Sequence, residues 1–86
     1  MSTLRHYEAL CAEIISLLKR ERKRRKLSNY VVSQRSGISE STLSRVEKGQ
    51  VNPSLETALR IADGIGIELA SVITKARASV PKKGAA

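Results

Sequence analysis

Residues 36–49 read SGISESTLSRVEKG. Wound as one helix from Ser39, this stretch puts Leu43 and Val46 on one side. Ser41, Ser44, Arg45 and Lys48 then fall at i, i+3, i+4 and i+7 on the other. The outward stripe holds short hydroxyls and two cations, with no long apolar side chain. A solvent-facing helix ordinarily carries helix formers such as Glu, Lys, Gln and Ala there. A face that is small, hydrogen-bonding and cationic suits close approach to a polar, negatively charged surface.

The flanking residues define the helix and its neighbour. Ser39 is an N-cap, with Glu40 in the first turn where a negative charge suits the helix dipole, and Gly49 ends the segment. Upstream, Ser28 caps a second helix, NYVVSQRS, whose valines are poor helix formers, so packing of Val32 must hold it. Gly37 closes that helix in the left-handed region. Two helices of about eight residues joined by a glycine-containing turn, SGIS, make a helix-turn-helix.

Nothing breaks a helix from Leu4 to about Lys26. Leu4, Tyr7, Cys11, Ile14 and Leu18 form an apolar seam along it, widened by Leu10, Ile15 and Leu17. On the far side, QVNPS is a loop. Pro53 cannot continue a helix, and Ser54 caps a fourth, LETALRIADGIG, with Leu55, Leu59, Ala62 and Ile65 on one stripe. Gly64 costs about 1 kcal/mol against Ala inside a helix, which predicts an early or frayed end. A fifth helix, ELASVITKAR, presents Leu69, Val72 and Ile73. The tail ASVPKKGAA is polar and small, and is expected to be disordered. No strand pattern and no internal repeat is present. The division expected is 1–12 as an N-terminal extension of the first helix, 13–76 as the helix-turn-helix domain, and 77–86 as a flexible tail.

Composition bounds the function. At 86 residues, 41% apolar and 28% charged, the chain suits one small globular domain with an aliphatic core. Two Tyr and no Phe or Trp argue against aromatic stacking platforms for single strands. Cys11 is single, so no intrachain disulfide or cysteine zinc site is possible, and with only His6 beside it no metal or cofactor is expected. Both lie on the seam, which predicts a buried, inert Cys11 and a structural His6. No Ser–His–acid set, paired carboxylates or phosphate-cradling glycine loop can be assembled, which argues against an enzyme. ALCAEIISLL is interrupted by Glu13 and far short of a membrane span, and no signal-peptide flanks surround it. A cytoplasmic protein is expected.

The formal charge is +8, and KRERKRRK, residues 19–26, holds seven cations and one Glu. A charge run is ordinarily a solvated face; nucleic acid is the commonest polyanionic partner. The DNA major groove admits one helix and displays donors and acceptors on its floor. Ser41 and Ser44 let a backbone come close, Arg45 can fork onto guanine, and Leu43 with Val46 stops the helix from rolling.

The stretch LSNYVVSQRSGISESTLSRVEKGQVNPSLETALRIADGIGI, residues 27–67, preceded by Arg22, resembles the Xre-type, phage-repressor-like helix-turn-helix proteins. The succession SGIS, TLSRVEKG, NPSLETALRIA carries the likeness over about half the chain. The resemblance implies an all-α, five-helix lambda-repressor-like domain, here with an extended first helix, binding double-stranded operator DNA as a two-fold homodimer. Its third helix would be the recognition helix, with Glu40, Ser41 and Arg45 at base-contacting positions and Ser44 as a further candidate. Glu40 has two readings, a dipole-satisfying residue or an acceptor for cytosine N4. The resemblance also implies an ion pair between Arg22 and Glu47 that fixes the third helix to the first.

Phosphate contacts are expected at helix N-termini, from Ser28, Asn29 (where the family usually has Gln) and Tyr30. Tyr30 has an alternative role in packing. Lys48, Gln50 and Asn52 are expected to hold the backbone across the groove. The dimer surface is expected from Ile67, Leu69, Val72 and Ile73, extended by the seam of Leu4, Tyr7 and Cys11. The leading function is a transcriptional regulator, a repressor foremost. The alternatives are an antitoxin whose long first helix or Pro81 tail docks a toxin or another regulator, and non-specific nucleic-acid binding through residues 19–26 alone.

Overall fold

The computed structural model describes residues 2–80, with side chains from residue 5 onward. Five helices follow one another: α1 (Ser2–Arg24), α2 (Asn29–Ser36), α3 (Glu40–Glu47), α4 (Leu55–Ile65) and α5 (Leu69–Ser79). The described residues contain no strand. Each serine cap forms: Ser28, Ser39 and Ser54 accept from the backbone N–H groups of Val31, Thr42 and Thr57. Each capped N–H is one that the helix itself leaves unpaired. At the opposite ends Gly37, Gly49 and Gly66 take positive φ, which residues with a Cβ adopt at a cost. α1 stops two residues before Lys26, the one non-glycine residue with positive φ among the described residues, at 58°. There the N–H groups of Lys26 and Leu27 turn back to the carbonyls of Lys23 and Arg22.

The core joins Leu18, Val32, Leu43, Val46, Ile61, Ala62, Ile65, Leu69 and Val72. α2 packs on α3 and α4, while α1 runs along α5 and also touches α3 and α4. α3 is therefore held from behind by α1 and α2, with its outer side open.

Three expectations about the apolar stripes need correcting. In α1 the inward residues are Leu10 and Leu18, with Ile14, Ile15 and Leu17 half-buried, whereas Tyr7 and Cys11 are exposed. The seam is thus rotated toward Leu10; Leu4 lies outside the residues whose side chains are described. In α4 the buried stripe is Ala58, Ile61, Ala62 and Ile65, while Leu55 is 71% and Leu59 46% exposed. Both stripes have helical spacing and share Ala62 and Ile65, so spacing alone could not separate them. In α5, Leu69 and Val72 are core residues, 6% and 4% exposed, and Ile67 and Ile73 are half-buried. Leu69 and Val72 are packed inside one protomer, which leaves little of either side chain for the dimer face expected of them.

Gly64 does not fray α4; it is buried one residue before the helix ends. A Cβ there would lie 3.2 Å from both Val32 Cγ1 and the Val32 carbonyl oxygen, and 3.3 Å from Ser36 Cβ. The glycine lets α2 and α4 approach. Gly64→Ala should therefore lower stability by about 1 kcal/mol or more, against the sign of helix propensity, because the intruding methyl meets backbone that cannot move aside. Urea unfolding of the two proteins measures it, and a more stable alanine variant would refute the close-approach role. The terminal residues after Val80, including the Pro81 segment expected to dock a partner, lie outside the described residues.

Candidate nucleic-acid interface

α3 is short, yet its orientation is fixed from three sides. Leu43 and Val46 are each 2% exposed and face the core. At its C-terminal end Glu47 receives both arms of Arg22 from α1: Nε donates to Oε2 at 2.6 Å and Nη2 to Oε1 at 2.9 Å. Arg22 Nη1 also donates to the Leu27 carbonyl at 2.8 Å, tying the α1–α2 connection into the same fork. A bidentate guanidinium–carboxylate pair fixes direction as well as distance. It links residues 25 apart in the chain.

The outer side of α3 carries Glu40, Ser41, Arg45 and Lys48, all exposed, with Ser44 half-buried between them. Arg45 and Lys48 form no ion pair among the described residues, so their charge is presented outward. Gln50 and Asn52, in the loop after α3, are exposed as well. An α-helix with its side chains is about 10–12 Å across and the major groove about 12 Å wide, so a helix held by its back alone fits it.

The phosphate-contact candidates at the head of α2 divide. Ser28 is exposed with its oxygen engaged in the cap, and Tyr30 is 57% exposed. Tyr30 is therefore turned outward, where its hydroxyl meets solvent. Asn29 is half-buried and its Oδ1 lies inside without a partner among the described residues. It lines the same small internal space as Arg22, Val46 and Glu47. Its side-chain oxygen is thus turned inward, while its backbone N–H stands at the N-terminus of α2 where the phosphate contact is expected.

The basic run 19–26 is less of a free patch than its composition indicates. Arg22 is committed to Glu47, and Arg24 and Arg25 both bind Glu21. Arg25 reaches further, donating to the carbonyls of Ile65 and Gly66 at 3.2 and 2.9 Å, and Arg35 donates to the Gly64 carbonyl at 3.3 Å. These carbonyls end α4, where cations are favoured by the dipole and by unpaired acceptors. The hydrogen bond from Arg24, supported by Arg25, holds the Glu21 carboxyl down to about 2. Glu21 therefore keeps its charge, and its hold on both arginines, well into the acidic range. This internal use is invisible in the sequence, because the partners of Arg25 and Arg35 are carbonyls of a helix about 30 to 40 residues away.

An all-α domain in which a capped helix follows its partner through a glycine turn, both braced so that the second shows a polar edge, is a helix-turn-helix domain. The chain matches the family described as helix-turn-helix over residues 18–72, and it belongs to that DNA-binding, Xre-type and repressor-like family. It is similar to the immunity repressor protein of Bacillus phage phi105, with 32% identity over 56 residues, 65% of this chain and 39% of the repressor. The chain therefore spans well under half the length of that relative. No solved structure matches it. Among the described residues no helix is long and apolar enough to cross a membrane, and no group of three or more His, Cys, Asp or Glu side chains is placed to hold a metal ion.

Proposed function

We propose that this chain is a sequence-specific transcriptional regulator, a repressor that binds a palindromic operator as a homodimer with α3 in the major groove. The observation that carries the reading is the two-sided character of α3. Its back is locked by Leu43, Val46 and the Arg22–Glu47 fork, and its front is a polar edge with unpaired Arg45 and Lys48. Arg45 and its neighbours Glu40, Ser41 and Ser44 read bases. Lys48, Gln50, Asn52, Tyr30 and the N-terminal amides of α2 hold phosphates.

One recognition helix distinguishes too few base pairs to find one site in a genome, so two are needed, about 34 Å apart on one face of the duplex. The partner surface then has to flank α3. Leu55 and Leu59 are the candidates for it: both are exposed in the first half of α4, the helix that follows the loop leaving α3. Leu55 borders an apolar groove of about 230 Å³ lined also by Cys11, Ile14, Pro53 and Ile73. This patch, which includes Ile73 and has Leu69 at its floor but leaves Val72 inside, is the dimer face.

Selection of bound sites from a random-duplex pool tests the reading, and a two-fold symmetric site is expected. Arg45→Ala should then relax one base pair in each half-site and cost about 1–3 kcal/mol per contact. An unchanged selected site in that variant would remove Arg45 as reader.

A further inference from the structure

Ser39, Ser41 and Thr42 share a closed set of hydrogen bonds at the head of α3. Ser39 Oγ accepts the Thr42 backbone N–H at 3.2 Å and donates to Thr42 Oγ1 at 2.9 Å. It also lies 3.2 Å from Ser41 Oγ. A serine hydroxyl has one proton and two acceptor lone pairs. The Ser39 proton is already given to Thr42, so the proton between Ser39 and Ser41 belongs to Ser41. Ser39 is then saturated, and Ser41 has no proton left for anything outside the protein.

We infer that this network sets Ser41 as an acceptor-only group, so that Ser41 selects an amino base, adenine or cytosine, over a keto base, guanine or thymine, where it touches the groove. The inference rests on the reading that α3 enters the major groove. There, adenine N6 and cytosine N4 donate, while guanine O6 and N7 and thymine O4 accept. An acceptor-only oxygen against a keto oxygen leaves two lone pairs facing each other with no proton between them. Glu40 beside it, exposed and outside every ion pair among the described residues, is acceptor-only when ionised. Arg45, one turn further on, is donor-only. α3 therefore presents acceptors at its head and donors at its middle.

Ser39 and Thr42 act here through Ser41 and are positioning residues. The cap of α4 repeats half of the device: Ser54 Oγ accepts from the Thr57 N–H and donates to Thr57 Oγ1, both at 3.1 Å. The residue two positions after that cap is Glu56, with no hydroxyl to be polarised, so a third member exists only in α3.

The experiment uses the full chain and the duplex recovered from the random pool. Ser41→Ala should lose preference at one base pair per half-site. Thr42→Val removes the acceptor that takes the Ser39 proton and frees that proton for Ser41, so the preference at the same base pair should shift from amino toward keto by about tenfold. Thr42→Ser keeps the acceptor and should keep the original site. Wild-type protein should also lose about tenfold in affinity when the contacted base is replaced by an analogue lacking its exocyclic amino group. That measurement holds even if Thr42→Val does not fold. If Ser41→Ala relaxes the base pair but Thr42→Val leaves its amino preference intact, the network assignment is overturned while α3 remains the reader. If Ser41→Ala selects the wild-type site, Ser41 does not read a base and the inference falls with that contact. If no variant of the α3 face changes the selected site, the groove reading itself fails.

Discussion

Glu47→Ala is expected to destabilise the domain by about 3 kcal/mol, a large share of the 5–15 kcal/mol that holds a typical domain together. The side chains of Arg22 and Glu47 are only 12% and 16% exposed. Removing the carboxylate leaves a guanidinium at the boundary of the core with the Leu27 carbonyl as its remaining partner. Water reaches it poorly, and the one compensation in the same small internal space is the unpartnered Asn29 Oδ1, an acceptor that can take up part of the loss. The loss measures the cost of stranding a charge rather than the net worth of the pair, since desolvation offsets most of the attraction when both are present. Replacing Arg22 and Glu47 together by apolar residues of similar size should therefore cost much less than Glu47→Ala alone. Denaturant unfolding of the two single variants and the double variant measures the coupling. A single-variant loss below about 0.5 kcal/mol would place the fork among ordinary surface pairs. The double variant has a second readout. If the fork's purpose is to aim α3, a stable double variant should still bind its operator more weakly than the unsubstituted protein.

The second large effect concerns assembly. Leu55→Glu combined with Leu59→Glu should leave the monomer fold intact, because both side chains are already exposed at 71% and 46%. Placed across a two-fold axis, however, four carboxylates would face one another in an apolar interface, where unpaired charges are strongly disfavoured. Sedimentation should give a dimer for the wild type at micromolar concentration and a monomer for the variant. Affinity for the full operator should drop by about 10²-fold or more, since two half-sites no longer bind as one ligand. Affinity for an isolated half-site should not change. A variant that remains dimeric would move the interface elsewhere, and the half-buried Ile67 and Ile73 would be the next residues to test.

The two experiments separate two uses of the same small domain. The Arg22–Glu47 fork belongs to the fold, acting within one protomer to hold the reading edge still. Leu55 and Leu59 lie outside the core, and their burial requires another surface. That distinction is what the sequence could not draw in α4. Leu55, Leu59, Ala62 and Ile65 make a good helical stripe, and leucine is the residue expected inside. The inner stripe instead uses Ala58 and Ala62, because α2 approaches closely where Gly64 leaves room. In α1 the buried side likewise runs through Leu10 rather than Tyr7 and Cys11, and in α5 Leu69 and Val72 are packed into the core of one protomer.

What the chain determined by itself was everything written in short-range chemistry. Serine oxygens at positions 28, 39 and 54 reach amides three residues on, and glycines at 37, 49 and 66 reverse the backbone where each helix stops. The spacing of Leu43 and Val46 against Ser41 and Arg45 gave α3 an inside and an outside before any partner helix was known. These features need no knowledge of what lies across the molecule, because each involves atoms within one or two turns. Tertiary structure alone decided which of two overlapping apolar stripes is buried, and where the arginines of residues 22–35 direct their charge. Arg25 and Arg35 end on carbonyls of α4, and Arg22 on a carboxylate of α3. A side chain that long chooses its partner by proximity in space, and proximity between distant segments exists only after the helices have packed.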